Sequence, residues 1–368
     1  MLIVRTPVRI SFAGGGTDFP SYFERYGGLV LGTSIDKYVY CVLTERDDGK
    51  TQVISSDLRT LESCEHIEKM EFRGLDLEIP FAVLKHLHCN VGINLFLASE
   101  VPPGTGLGSS AAVCVGLLKT VSVYLGLDLP DPEIAEQAFY IARDILHKPA
   151  GKQDEYGVAI GGLKILHFQA SGTRVEPVRL PPEMLMDLEQ SLMLFFTGSS
   201  RNSSDILSGQ DRSVQQEEEA VIGALHLMKG MVPEMRNAVT NGNLEWFGRL
   251  LHASWVNKKR VSSKISNPWI DQIYDAALRS GALGGKITGA GGGGFLLLYC
   301  ERGRQADVRE GLRGFGLKEM RFHFDLGGAR VVYNDPFFDS EAHGGMRWVF
   351  SPTLETLPRQ ESVGDRFR

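Results

Sequence analysis

No two of the five cysteines, at positions 41, 64, 89, 114 and 300, form a C-x-x-C pair, and most lie in apolar surroundings. They read as reduced core thiols, which points to a reducing compartment. Positive charge is also scarce: 39 basic residues stand against 45 acidic ones, a net charge of −6, without a long basic run or a basic-aromatic alternation. A nucleic-acid partner is therefore not expected, and small-molecule chemistry is. No apolar run is long enough to span a bilayer, and "MLIVRTPVRISF" alternates as a strand does rather than as a charged-then-apolar leader. The expectation is a soluble, cytoplasmic protein with no membrane partner. Two nucleotide signatures are missing as well. There is no G-x-x-x-x-G-K-[ST] loop, and neither H-R-D nor D-F-G of the protein kinases occurs.

What the chain does hold is glycine, 42 residues in 368, gathered into clusters. In "VPPGTGLGSSAAVCVGLLKTV", residues 101–121, Gly104, Gly106 and Gly108 alternate, followed by Ser109 and Ser110. That density marks backbone that must turn sharply or be approached closely. Behind it Val113, Leu117, Leu118, Val121 and Leu125 recur at helical spacing, so a helix begins near Ser109. A helix N-terminus presents unpaired N–H groups and the positive end of the peptide dipole. The loop is a candidate phosphate cradle, with a serine-capped tight turn as the alternative. A second cluster, "KITGAGGGGFLLLYC", has Gly289, Gly291 and Gly294 in a G-x-G-x-x-G register. A dinucleotide fingerprint opens a helix, whereas these glycines run into a strand-like segment, which sets that reading aside.

Two further stretches carry carboxylates. In "RTPVRISFAGGGTDFPSYFERYGG", Asp18 follows three glycines and Thr17, placed either to accept hydrogen bonds from sugar hydroxyls or to cap the next helix. In "HKPAGKQDEYGVAIGG", Asp154 lies between a loop and strand-like sequence, with Lys152 nearby. It is either a base for a substrate hydroxyl or a solvated loop residue.

The length suits two domains or one large one. Residues 1–12 and 29–43 are β-rich, "QVISS" and "KMEFRGL" continue as short strands, helices follow over 111–125 and about 132–147, and "YGVAIGGLKILHF" reads as a strand region. After a linker-like "LPPE" at 180–183 come a strand in "SLMLFFTG", helices over roughly 205–280 and a strand in "FLLLYC". The divisions expected are α+β domains at 1–180 and 181–333 and an extension at 334–368, where Pro, Gly and charges break every apolar cluster.

Together the four stretches resemble the GHMP kinases, the superfamily of galactokinase, homoserine kinase, mevalonate kinase and phosphomevalonate kinase, with "PPGTGLGSSAA" and "KITGAGGGG" the most specific motifs. Within it, "AGKQDEYGVAIGG", "FFTGSSRNSSDIL" and the stretch ending in "GGKITGAGGGGFLLL" look most like the D-glycero-D-manno-heptose 7-phosphate kinases, over residues 1–333. The resemblance implies a two-domain α+β fold, with a ribosomal S5 domain 2-like N-terminal domain and a ferredoxin-like C-terminal domain. ATP and sugar would meet between them. It implies that Pro103, Gly104, Gly106, Leu107, Gly108, Ser109, Ser110 and Ala111 wrap the ATP phosphates, with Gly289, Gly291 and Gly292 flooring the cleft. Asp154 would be the base, Arg9 the cation beside the reacting oxygen and Lys152 a further catalytic group, while Gly15, Gly16, Thr17 and Asp18 would bind sugar. Ser110 would contact Mg²⁺. In "YIARDILHKPAGKQD" the chain departs from the pattern: Ala142 replaces the Glu that heptose kinases tend to carry for the metal. Asp144 is the candidate substitute, although it points about 200° further round a helix. For the substrate's own phosphate the candidate cations are Arg201 and the run Lys258, Lys259 and Arg260, of which one or two can face a ligand.

The implied activity is ATP-dependent phosphorylation of the anomeric hydroxyl of a heptose 7-phosphate. The product would be the 1,7-bisphosphate, on the way to nucleotide-activated heptose and surface polysaccharide. A kinase of a free sugar such as fucose or arabinose and a non-catalytic nucleotide- or sugar-binding regulator are the alternatives. Either a monomer or a homodimer is expected.

Overall fold

The alternation at the start of the chain becomes strand β1 (Leu2–Ala13), which pairs antiparallel with the long β2 (Gly28–Glu45) across helix α1 (Pro20–Tyr26). In the computed structural model, which describes residues 1–198 and 204–335, the sheet continues through β3 (Thr51–Ser55), β4 (Thr60–Cys64) and β5 (Ile93–Ser99) in the order β1-β2-β5-β3-β4. Strands β6 (Lys164–Gln169) and β7 (Gly172–Pro177) extend it from the first part of β2. Helices α2 (Glu78–His86), α3 (Ser109–Tyr124), α4 (Asp131–Tyr140) and α5 (Gln153–Ala159) pack together beside β1 and β2.

The second half opens with α6 (Pro182–Gln190) and β8 (Leu192–Phe196) and runs through helices α7 (Ser204–Gln215), α8 (Glu219–Thr240), α9 (Leu244–Lys259) and α10 (Pro268–Arg279). Strands β9 (Gly284–Ile287) and β10 (Phe295–Tyr299), helix α11 (Gln305–Leu312) and the short β11 (Lys318–Glu319) follow, giving a second sheet in the order β11-β8-β10-β9. Mixed helix and sheet is thus the architecture of both halves. Two last strands, β12 (Phe324–Asp325) and β13 (Arg330–Asn334), return to the first sheet, pairing with β2 and β1.

Strand β1 positions the site through its period of two. Val8, Ile10 and Phe12 are wholly buried on one face, where the Phe12 ring meets Phe247 of α9 edge to face at 5.3 Å. Arg9 and Ser11, also buried, lie on the other.

Several local expectations are corrected. "KMEFRGL" forms no strand; Ile67–Lys69 is a single 3₁₀ turn, and Phe72 and Leu77 are buried without strand pairing. "YGVAIGG" belongs to α5 and the turn after it, because Tyr156, Val158 and Ala159 bury against the sheet as a helical face. The helix expected over 132–147 tightens to α4 and then relaxes into a π turn at Ile141–Ile145. Pro182 of the expected linker starts α6, where a missing N–H costs nothing. Strands β12 and β13, expected in the C-terminal domain apart from Asn334, which was expected in the extension, pair with the first sheet. Residues 336–368 of the expected extension lie outside the described residues. Among the described residues no helix is long and apolar enough to cross a membrane.

Candidate active site

The two glycine clusters, about half the chain apart in sequence, are in direct contact. Gly106 has φ +78° and sits against Thr288, whose carbonyl oxygen a Cβ at 106 would strike. A Cβ at Gly289 would come within 2.6 Å of the Gly106 Cα. Phe295 donates its N–H to the Thr105 carbonyl at 3.3 Å, fastening the second loop under the first. Bare backbone on both sides is what allows two loops to stack this closely. Above them α3 starts at Ser109 with Gly108 as its N-cap and no side chain capping its first turn. Its leading N–H groups are left for an anion. Ser109 is buried and Ser110 exposed.

Arg9 joins this floor to the carboxylates. Its Nη1 donates to the Gly106 carbonyl at 2.7 Å, while Nε and Nη2 grip Asp154 at 2.9 and 2.6 Å. The arginine side chain is 5% exposed and that of Asp154 34%, so the pair opens to the outside through the carboxylate. Asp154 lies in the first turn of α5 rather than in a loop, and Gly157, one turn on, leaves room for the arginine stem.

Asp18 is buried beside them, accepting from the Gly16 N–H at 2.8 Å and from the Gln153 backbone and side-chain nitrogens at 3.2 and 3.0 Å. Burial first, and the Asp154 charge second, hold its carboxyl above the ordinary carboxylate range. Next to it two buried oxygens, Ser11 Oγ and Gln153 Oε1, have no hydrogen-bond partner among the described residues. Both residues line a small pocket together with Arg9 and Lys164. Gly15 faces the same two side chains. Thr17 serves the turn instead, its hydroxyl donating to the Gly14 carbonyl at 2.7 Å and accepting from the Leu29 N–H at 3.0 Å.

Other expected residues are placed elsewhere. The Lys152 ammonium is bound by both oxygens of Glu136, at 2.8 and 2.7 Å, and lies over the Phe23 and Phe139 rings. Its charge is matched there rather than at Asp154. Asp144 is exposed on the π turn. Arg201 lies outside the described residues. Of the cationic run, Lys259 pairs with Asp271 at 3.1 Å and Arg260 reaches back to Asn257, whereas Lys258 is buried and donates to the Gly289 carbonyl at 2.8 Å. Sequence reasoning missed Gln153 and Lys286. Lys286, the first residue of "KITGAGGGG", is buried with its ammonium on the Ser11 carbonyl at 2.9 Å.

Glu155, beside the candidate base, is 4% exposed, and its Oε2 has no hydrogen-bond partner among the described residues. Burial first, then Asp154, raises its carboxyl well above 4.5. An acid whose folded pKa is raised adds nothing unfavourable below its unfolded value. It destabilises the fold increasingly as pH climbs from there towards the folded pKa. Glu155→Gln is therefore expected to raise the melting temperature by about 2–4 °C at pH 8 and by less at pH 5. An equal gain at both pH values, or a loss at pH 8, would refute this account of Glu155.

The chain matches the family model described as GHMP kinases N terminal domain over residues 78–162, and the one described as GHMP kinases C terminal over 231–317. It is 32% identical to D-glycero-alpha-D-manno-heptose 7-phosphate kinase of Campylobacter jejuni, across 84% of this chain and 92% of that protein. It is 28% identical to L-fucokinase/L-fucose-1-P guanylyltransferase of Bacteroides fragilis, across 83% of this chain and 35% of that longer protein. Among solved structures, a D-glycero-D-manno-heptose 1-phosphate kinase from Bacteroides thetaiotaomicron superposes with a TM-score of 0.76 at 27% identity, covering 91% of this chain and all of that one. With the stacked glycine loops, the uncapped helix above them and the Arg9–Asp154 clamp beside them, these matches establish that the chain belongs to the GHMP kinases and is a phosphotransferase.

Proposed function

We propose that the protein transfers the γ-phosphoryl group of ATP to the anomeric hydroxyl of a heptose 7-phosphate. The observation that carries this reading is the juxtaposition of the Arg9–Asp154 clamp with the glycine floor on one side and with Asp18 and the unpartnered Ser11 and Gln153 oxygens on the other. Acceptors buried without partners suit a polyhydroxylated ligand that brings its own donors. In the reaction Asp154 takes the proton of the sugar hydroxyl, the freed oxygen attacks the γ-phosphorus, and ADP leaves with the bridging electron pair. Arg9 and the N–H groups at the start of α3 oppose the charge on the transferring group.

Magnesium is the expected companion of the nucleotide, and Ser110, exposed on the first turn of α3 with no side-chain partner among the described residues, is the residue that would hold it. Bound there, the metal would neutralise charge on the phosphates. Among the described residues no group of three or more His, Cys, Asp or Glu converges on a metal position.

A panel of sugars and sugar phosphates, read by ADP release and by phosphorus NMR of the product, tests the substrate. The expected result is a kcat/KM for heptose 7-phosphate at least about 10-fold above those for free heptose, fucose and arabinose, since one ionic hydrogen bond to the remote phosphate is worth that much. Faster turnover of a free sugar would move the assignment to the fucose-like kinases. No turnover of any acceptor, with ATP binding intact, would leave the non-catalytic reading. A gel-filtration mass would decide between the proposed monomer and homodimer.

A further inference from the structure

Buried positive charge concentrates where the two glycine loops meet. Besides Arg9, Lys258 near the end of α9 and Lys286 on β9 are 6% and 2% exposed. Most neighbouring cations are matched: Arg9 by Asp154, Lys152 by Glu136 and Lys259 by Asp271. Lys258 differs. Among the described residues its ammonium donates only to the Gly289 carbonyl, at 2.8 Å, and no carboxylate lies within ion-pair distance. An ammonium carries three donors, so two are left unmatched in a place from which water is largely excluded. An arrangement of this kind is unfavourable unless an anion completes it.

The surroundings identify the anion. The Gly289 turn packs on Gly106 of the phosphate loop, the Gly106 carbonyl holds Arg9, and Arg9 holds Asp154. Asp18, Arg9 and Asp154, the groups proposed to surround the reacting oxygen, all act electrostatically on Lys258, and Lys258 acts on Lys286 as well. Lys286 is likewise held by one carbonyl, but that carbonyl belongs to Ser11 of β1 rather than to the glycine turn. Burial, with the Lys258 and Arg9 charges added, lowers its hold on a proton well below the ordinary lysine range. Burial lowers Lys258 to about 8, which still leaves the ammonium form predominant at neutral pH.

We propose that Lys258 is a catalytic cation of the phosphotransfer, reaching from α9 of the C-terminal half to the phosphoryl group in transit between the glycine floor and Asp154. Phosphoryl transfer is accelerated chiefly by positioning and by cations aimed at the transferring oxygens. Arg9 alone supplies such a cation with its charge already shared with a carboxylate. Lys258 adds one whose charge is uncommitted until the nucleotide arrives. The inference rests on ATP-dependent transfer and does not depend on which sugar is the acceptor.

The test is calorimetric titration of the full-length protein and its Lys258→Met and Lys258→Arg variants with ADP and with the β,γ-imido analogue of ATP, together with steady-state kinetics. Lys258→Met is expected to bind the analogue about 10- to 100-fold more weakly, the worth of one charge-assisted hydrogen bond, while its affinity for ADP stays within about twofold. The kcat should fall with little change in KM for the sugar phosphate, and Lys258→Arg should recover part of both losses. Equal weakening of ADP and analogue would show a structural role through Gly289. A rise confined to KM for the sugar phosphate would assign Lys258 to the acceptor's own phosphate, and unchanged binding would leave it no role with an anion; each overturns the proposal. Failure of the unsubstituted protein to bind either nucleotide would overturn the ATP reading and this proposal with it, whereas a different preferred sugar would leave the Lys258 result standing.

Discussion

Asp154→Asn is expected to lower kcat by about 10²- to 10⁴-fold, the usual contribution of a positioned general base, while nucleotide affinity stays within a few-fold of the original. The amide conserves shape but cannot take the proton of a sugar hydroxyl. Structure adds a second effect. Asp154 accepts two Arg9 donors, at 2.9 and 2.6 Å, and an asparagine would present its NH₂ to one of them, placing donor against donor. Arg9, with a side chain 5% exposed, would keep a buried charge with half its partner gone. Some loss of melting temperature should therefore accompany the loss of turnover, and the two must be separated. Single-turnover kinetics at a temperature where the variant is fully folded, beside calorimetry with the nucleotide, does so. Turnover within a few-fold of the original would refute Asp154 as the base and leave it as the anchor of Arg9. Loss of nucleotide binding in parallel would place the damage in the Gly106 floor that Arg9 supports.

Local signals in the sequence reached the two glycine loops and the start of α3 but not the groups that the fold brings to them from afar. The helix behind Ser109 was legible because Leu117, Leu118 and Val121 are buried, with Val113 half-buried against the same core, and glycine density marked both loops. The stacking of those loops joins Gly106 to Gly289, a contact that no local pattern reports. Asp154 was singled out, yet placed between a loop and strand-like sequence rather than on a helix, because Gly157, Gly161 and Gly162 lower helix propensity and Val158 favours strand. Packing overrode that preference, and Gly157 is there to let the Arg9 stem pass. Lys152 was misplaced by adjacency: two residues from Asp154, it turns to Glu136 on α4, and the rings that receive it are distant in sequence. In the run Lys258, Lys259 and Arg260, composition is uniform and only the rotation of about 100° per residue decides which ammonium enters the core. That choice requires the position of α9 against β9, which is tertiary information. The return of β13 to the edge of β1 is equally non-local: a five-residue strand pairs with one more than 300 positions away.

Gly106→Val should abolish measurable ATP binding, a loss of at least about 100-fold, and turnover with it. Three effects act together at this position. The backbone has φ +78°, which costs a β-branched residue roughly 1–2 kcal/mol before any contact is considered. The new Cβ would collide with the Thr288 carbonyl oxygen, a backbone atom that cannot swing aside as a side-chain tip would. Relieving the collision lifts the first glycine loop off the second and withdraws the Gly106 carbonyl from Arg9, now 2.7 Å away, so the base's clamp loosens along with the cradle. Gly126, at the far end of α3, separates strain from collision: it has φ +71° and no heavy atom near enough for an added Cβ to touch. Gly126→Val should lower the melting temperature by a few degrees and leave ATP affinity unchanged within about twofold, since only the backbone term operates there. If calorimetry finds equal ATP affinities for Gly106→Val and Gly126→Val, the stacked loops do not form the nucleotide site. If Gly106→Val binds ATP normally but turns over slowly, the loop acts through Arg9 and Asp154 alone.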